Sequence, residues 1–310
     1  MKRYLPWLAP ATFCAAICAA LPLSAQDTKT YPAPSEIVAA AKSDEWVTIA
    51  PADLLVMGLA PDSKGKPRRV VIQLIPAPFS QGWVGNIRKL AAAKWWDGTS
   101  INRVQDNYVV QWGDATEKKS LPEGLAVVPE RAYVSKISPT ALGQSKFVNY
   151  SAYTDAFDDV VDGWPISHGQ DETRWPTHCY AMVGVGRNLS PDTGTGAELY
   201  TVIGHAPRHL DRNIALVGRV IEGIEQLSSL PRGTGALGFY EKDEERVPIL
   251  SVRLGNEAKD VPAFEYLSTD SDSFAAYADA RANRRDPFFN VPAGGADICN
   301  IPVPIRRKAK

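Results

Sequence analysis

Short runs of β-branched and apolar residues, five to seven long, recur along this chain and limit what it can fold into. Leu54-Leu55-Val56-Met57-Gly58-Leu59 and Arg69-Val70-Val71-Ile72-Gln73-Leu74-Ile75 flank the turn-rich Pro61-Asp62-Ser63-Lys64-Gly65-Lys66-Pro67. Two such runs joined by Gly, Pro and Asp read as an antiparallel hairpin. Tyr108 to Trp112 and Leu199 to Ile203 read as further strands. Both are apolar on both faces, as expected of barrel or sandwich strands whose outer surface is also covered.

Helical periodicity is sparser. Asn86 to Trp95 carries Ile87, Leu90 and Ala91 at spacings of three and four, which predicts a short amphipathic helix with Asn86 as its N-cap. Gly218 to Leu230 places Ile221, Ile224 and Leu227 on one face and stops at Pro231, predicting a second helix. Ser35 to Lys42 and Asp272 to Asn283 are further candidates. Between them, residues 115–177 are rich in Pro, Asp, Ser and Gly with little period, so a long loop insert is expected there.

Lys2 and Arg3 precede an apolar stretch from Tyr4 to about Leu21, and Pro22-Leu23-Ser24-Ala25 leads into the polar Gln26-Asp27. This is the layout of a cleavable secretory signal over residues 1–25. Pro6 and Pro10 interrupt the stretch, which disfavours a retained membrane anchor, and Ile17 is bulky where a lipoprotein site at Cys18 would need a small residue. Without Lys2 and Arg3, 32 basic residues face 35 acidic ones, a balance that excludes nucleic acid or an anionic membrane as a charge-driven partner. Cys179 and Cys299 would be the cysteines of the mature chain. In an oxidising compartment they either pair, closing a loop of ~120 residues, or stay as two buried thiols.

Two blocks, Val70 to Asp114 and Cys179 to Gly223, resemble cyclophilin-type peptidyl-prolyl cis–trans isomerases. The first contains Trp96-Asp97-Gly98-Thr99, Asn102-Arg103-Val104 and Tyr108-Val109-Val110-Gln111-Trp112-Gly113-Asp114. The second contains Tyr180-Ala181-Met182-Val183, Pro191-Asp192-Thr193-Gly194, Glu198-Leu199-Tyr200 and His209-Leu210-Asp211 leading to Val217-Gly218-Arg219-Val220. The resemblance implies a mainly β fold: a closed eight-stranded antiparallel barrel capped by two helices. It divides the chain into a signal (1–25), an N-terminal segment (26–50), an isomerase domain (51–255, with 115–177 as insert) and a partly helical C-terminal extension (256–310).

The same resemblance makes Arg103 the catalytic donor and gives substrate binding to Tyr108, Val109, Gln111, Glu198, Tyr200, His209 and Leu210. Such chemistry needs no nucleophile, metal or cofactor. Rotation about an X–Pro amide faces a barrier of ~18–20 kcal/mol. A catalyst holds the proline ring in an apolar pocket and offers a donor that favours the twisted amide. A guanidinium suits this because it stays protonated and presents a planar fork. The expected partners are proline-containing polypeptides, and the expected state is an exported, periplasmic monomer with no membrane insertion after signal removal.

Several positions depart from the family pattern. Ile101-Asn102-Arg103 stands where Phe-His-Arg is common. Tyr108 and Tyr200 replace phenylalanines, Val109 a methionine, Glu198 a glutamine and Ile214 a pocket histidine. A carboxylate at 198 could pair with Arg103 and compete with substrate, which leaves a second reading open: a catalytically weak barrel that binds or assembles proteins. His205, His209 and Asp211 cluster in sequence, but on a loop that spacing has no helical meaning and carries little metal signal. His168 and His178 have no partner that sequence assigns. No Gly-x-Ser-x-Gly elbow and no dinucleotide-binding arrangement occurs.

Overall fold

The computed structural model describes residues 30–137 and 147–309. The signal reading for residues 1–25 lies outside them.

Eight strands close into an antiparallel barrel. In chain order they are β1 (Leu54–Leu59), β2 (Arg68–Leu74), β3 (Ser100–Val104), β4 (Val109–Gly113), β5 (Met182–Val185), β6 (Leu199–Val202), β7 (Leu216–Glu222) and β8 (Val247–Leu254). Around the barrel they run β5-β6-β4-β3-β8-β1-β2-β7, and β7 pairs back with β5. Closure leaves no barrel strand with an unpaired edge. The β1–β2 hairpin pairs Leu54 with Gln73 through Leu59 with Arg68, and the Asp62 carboxylate pins its turn by accepting from the backbone N–H of Lys64 and Lys66 at 2.9 and 2.8 Å. Val70, Ile72, Val104, Val110, Trp112, Val185 and Val217 are buried in a single apolar cluster.

Helix α1 (Pro34–Ala40) and the tail helix α4 (Asp272–Ala282) pack on each other. They lie beside a three-stranded sheet in which Phe264–Leu267 runs between Trp46–Thr48 and Ile305–Arg307. Chain segments before and after the barrel thus fold together.

Helix α2 (Gln81–Ala92) starts five residues before the expected N-cap, and Trp83, Ile87 and Leu90 form its fully buried face. Asn86 lies inside it, buried, where its amide both donates to Ala126 O (2.9 Å) and accepts from Ala126 N–H (2.7 Å). It straps the start of the insert rather than capping the helix. The helix expected over 218–230 shrinks to one turn, α3 (Glu225–Ser228). Residues 216–222 form β7 instead, because pairing with β2 and β5 satisfies their backbone on both sides.

The insert carries a sheet of its own rather than being loop throughout. Ser135–Lys136, Thr173–Pro176, Trp164–His168, Phe157–Val161 and Val148–Asn149 form a five-stranded antiparallel sheet in that order. Its central hairpin turns at Asp162 and Gly163, both at positive φ (49° and 83°). That is the two-residue turn an Asp-Gly pair favours between apolar flanks. Cys179, at the exit from this sheet, is joined by a disulfide to Cys299 of the tail.

Candidate functional site

Strands β3, β4 and β6 carry the site on the outer face of the barrel. Gln111 is paired with Arg103 on one side and with Tyr200 on the other, and Val202 is paired with Val109. Because alternate strand residues share a face, Val109 and Gln111 point outward together, as do Tyr200 and Val202. Val109, Tyr200 and Val202 form a small buried cluster separate from the barrel core, with Tyr108, Leu210 and Ile214 packed against it. All of these except the wholly buried Val202 line one part of a cleft of about 680 Å³. Arg103, Gln111 and Glu198 also line this cleft, so seven of the sequence-predicted residues meet there.

His209 does not line it. The imidazole is exposed and stacks on the Tyr108 ring at 6.1 Å. Asp211 turns inward, away from the other two members of its sequence cluster. Among the described residues no group of three or more His, Cys, Asp or Glu side chains is placed to hold a metal.

Arg103 is half-buried between the Tyr108 and Phe239 rings, 5.7 and 5.4 Å from their centroids. Its Nε donates to Leu237 O (2.7 Å), one terminal nitrogen to Gln111 Oε1 (3.2 Å) and the other to Gln105 Oε1. All three acceptors are neutral. Burial lowers the guanidinium's pKa, with only Tyr108 opposing it. A shift from so high a starting value leaves it a cation at physiological pH. Leu237, Phe239 and Gln105 come from loops without apolar period, so no sequence signal pointed to them.

Glu198 is not tied to Arg103. Its carboxylate lies beside the Gln111 side chain and the Asp114 backbone, whose N–H groups favour its ionised form, and over Gly113, where a β-carbon would stand 1.8 Å from a carboxylate oxygen. Gly113 is therefore required by close approach. Desolvation pushes the Glu198 pKa up to about 7, and the hydrogen bonds from Asp114 and Gln111 only partly oppose it. Glu198, Gln111 and Arg103 thus lie in a row, with Gln111 accepting from Arg103 and Glu198 on its other side.

Tyr200 is almost fully buried, and burial, then Tyr108 and Asp211, raise its pKa well above 10. Its hydroxyl end lies over Gly184, where a β-carbon would be 2.3 Å from the oxygen. The hydroxyl bonds to His178 Nε2 at 2.9 Å. His178, which had no partner in sequence, thus lies directly behind the apolar pocket, and His168 pairs with Asp159 at 2.8 Å inside the inserted sheet.

The family model "Cyclophilin type peptidyl-prolyl cis-trans isomerase/CLD" matches residues 68–254. Among solved structures, the chain is similar to the cyclophilin AquaCyp293 from Hirschia baltica, with 21% identity over 86% of this chain and 95% of that one and a TM-score of 0.62. It is also similar, at 10% identity and a TM-score of 0.38 over 64% of this chain and 98% of the other, to a cyclophilin-type isomerase from Cryptosporidium parvum crystallised with the dipeptide Ala-Pro. No curated protein matches the chain.

Proposed function

We infer the function from the premise that this chain belongs to the cyclophilin-type peptidyl-prolyl cis–trans isomerase family. The reaction is rotation about an X–Pro amide. We assign Arg103 the part of the donor that favours the twisted amide, and Val109, Tyr200, Leu210 and Ile214 the apolar seat for the proline ring. Three of the five N–H groups of Arg103 are engaged, all by neutral acceptors. Among the described residues nothing competes for the rest. As the amide twists, its nitrogen regains a lone pair and becomes an acceptor, so a fixed N–H beside it stabilises the transition state more than the planar ground state.

The observation that carries this reading is the position of Glu198. No ion pair joins it to Arg103; it sits beside Gln111 and Asp114, next to the residue that accepts from Arg103, instead of neutralising Arg103 itself. This favours an isomerase over a barrel that only binds. The clients we propose are proline-containing polypeptides outside the cytoplasm, most simply in a periplasm. The N-terminal signal pattern supports export, and a disulfide at Cys179–Cys299 is at home in an oxidising compartment.

The test compares the isomerisation rate of a short X–Pro peptide with wild type and with Arg103→Ala. Loss of one preorganised donor is expected to lower kcat/KM by roughly a hundredfold or more. A folded wild type that does not accelerate the exchange would overturn the isomerase reading.

A further inference from the structure

Tyr200 carries a hydroxyl on the floor of a pocket meant for an apolar ring, and the structure hides it. The acceptor is His178 Nε2 at 2.9 Å, with the two rings inclined by only 14°. Behind His178, Asp211 accepts from the ring Nδ1 (2.8 Å) and from the His178 backbone N–H (2.9 Å) through one oxygen, and from Arg208 Nε (2.7 Å) through the other. Arg208 reaches on to Asp158 (3.3 Å) and Ser167 (2.9 Å) in the inserted sheet. All six side chains in this run are buried.

Direction along the run follows from what each group can do. Burial works against the Arg208 charge, but Asp211 and then Asp158 outweigh it and raise its pKa, so it remains a cation that donates. The Asp211 carboxylate between Arg208 and two N–H groups can only accept, which places a proton on His178 Nδ1. A neutral imidazole then presents Nε2 as an acceptor, and Tyr200 donates to it. Its O–H points away from the cleft, and Gly184 provides the space at that end of the ring.

We propose that His178, its tautomer set by Asp211, is a positioning residue for the proline pocket: it draws the Tyr200 O–H to the hidden side so that the ring presents an apolar face to substrate. His178 belongs to the segment leaving the inserted sheet, so the insert contributes to the isomerase site through this contact. The inference rests on the isomerase reading for its consequence in catalysis, though not for its effect on peptide binding.

The prediction separates three variants. In His178→Leu the hydroxyl loses its acceptor, and the ring shifts to recover one through the cleft. KM for an X–Pro peptide is expected to rise roughly three- to tenfold with kcat within about twofold. Tyr200→Phe alters a pocket residue and so sets its own reference KM, and adding His178→Leu to it is expected to leave that KM within about twofold, because no hydroxyl remains to turn toward the cleft. His178→Ala and its double variant replace the leucine pair if that pair does not fold. Thermal unfolding is measured in parallel, because a purely structural role lowers Tm without moving KM in folded protein.

An unchanged KM in folded His178→Leu overturns the proposal. So does a KM in the double variant raised above that of Tyr200→Phe, since lost packing rather than the hydroxyl would then be responsible. The dissociation constant of the same peptide, followed by NMR titration across the series, gives the same decision if wild type proves not to catalyse. Failure of the isomerase reading is thereby kept apart from failure of this one.

Discussion

The barrel and the inserted sheet are both antiparallel and both buried, but different interactions specify them. In β2, Val70, Val71 and Ile72 are almost wholly buried among other apolar side chains. In the sheet, Asp158, Asp159, Ser167, His168 and Arg174 are also buried, and each is matched to a named partner. Ser167 donates to Asp158 at 2.6 Å, His168 pairs with Asp159, and Arg174 Nε donates to His168 Nδ1 at 2.8 Å. Apolar packing tolerates exchange of one hydrocarbon for another of similar volume. A buried polar network does not, because losing one member leaves another unpaired in low dielectric.

Two arginines fasten the sheet to the barrel and repeat this contrast. Arg208 does it with carboxylates on both sides. Arg219 on β7 uses neutral groups: both Nε and a terminal nitrogen donate to Gln73 Oε1, another donates to Gly163 O at 2.6 Å, and the guanidinium lies 4.4 Å over Trp164. Without a counter-charge, burial pulls its pKa down to about 9.

The largest expected effect tests the polar side of the comparison. Arg208→Met removes a cation from between Asp158 and Asp211 and leaves two buried carboxylates facing each other's charge. The expected cost is about 3–5 kcal/mol of stability at pH 7, read by urea unfolding. Part of it should return as pH falls, because protonation discharges the stranded carboxylates. A loss under about 1 kcal/mol, or one indifferent to pH, would mean that the sheet is held by its apolar residues after all.

This contrast also explains what the sequence disclosed. Four barrel strands, β1, β2, β4 and β6, run apolar or nearly so and are legible as strands, and the cleft residues Arg103, Tyr108, Val109, Gln111, Glu198, Tyr200 and Leu210 could be named from motif order. From sequence the sheet reads as loop, because Asp158-Asp159 and Ser167-His168 look like solvent-facing residues until their partners are known. One local signal was there to be used: Asp162-Gly163 between Val160-Val161 and Trp164 is a hairpin turn by composition alone. The error at 218–230 has a different origin. Ile221, Ile224 and Leu227 satisfy a helical spacing, and only the pairing of β7 with two neighbours decides for the strand up to Glu222. His178 and Phe239 reach the site by tertiary packing, which no period encodes.

A smaller effect comes from the disulfide that ties the end of the sheet to the tail. Cys179 and Cys299 are 120 residues apart, so their cross-link restricts a long loop in the unfolded chain. Replacing both with serine is expected to cost about 2–4 kcal/mol. Urea midpoints with and without reductant check this: reductant should lower the wild-type midpoint toward that of the double variant and leave the variant unmoved. Equal midpoints for both proteins without reductant would show that packing of the tail against the sheet suffices.

Glu198 is the barrel's exception, a half-buried carboxyl with no cation paired to it, and it gives the smallest effect. Its folded pKa of about 7 lies above the ordinary 4.5 because desolvation penalises the ionised form. Between those values the native state holds a proton that the unfolded chain has released, so stability falls as pH rises from about 4.5 to about 7 and is level above that. Glu198→Gln keeps the shape without the charge. It is expected to match wild type near pH 4 and to exceed it by about 1–3 kcal/mol at pH 8, the range reflecting solvent at the cleft mouth. If the difference instead stays flat with pH, Glu198 is solvated in the folded protein, and the cleft has water where Gln111 is held. If the difference reverses, with wild type more stable at pH 8, Glu198 has found a cation. The cleft guanidinium already joined to Gln111 is Arg103, whose competence as a donor would then be reduced in proportion to the pairing.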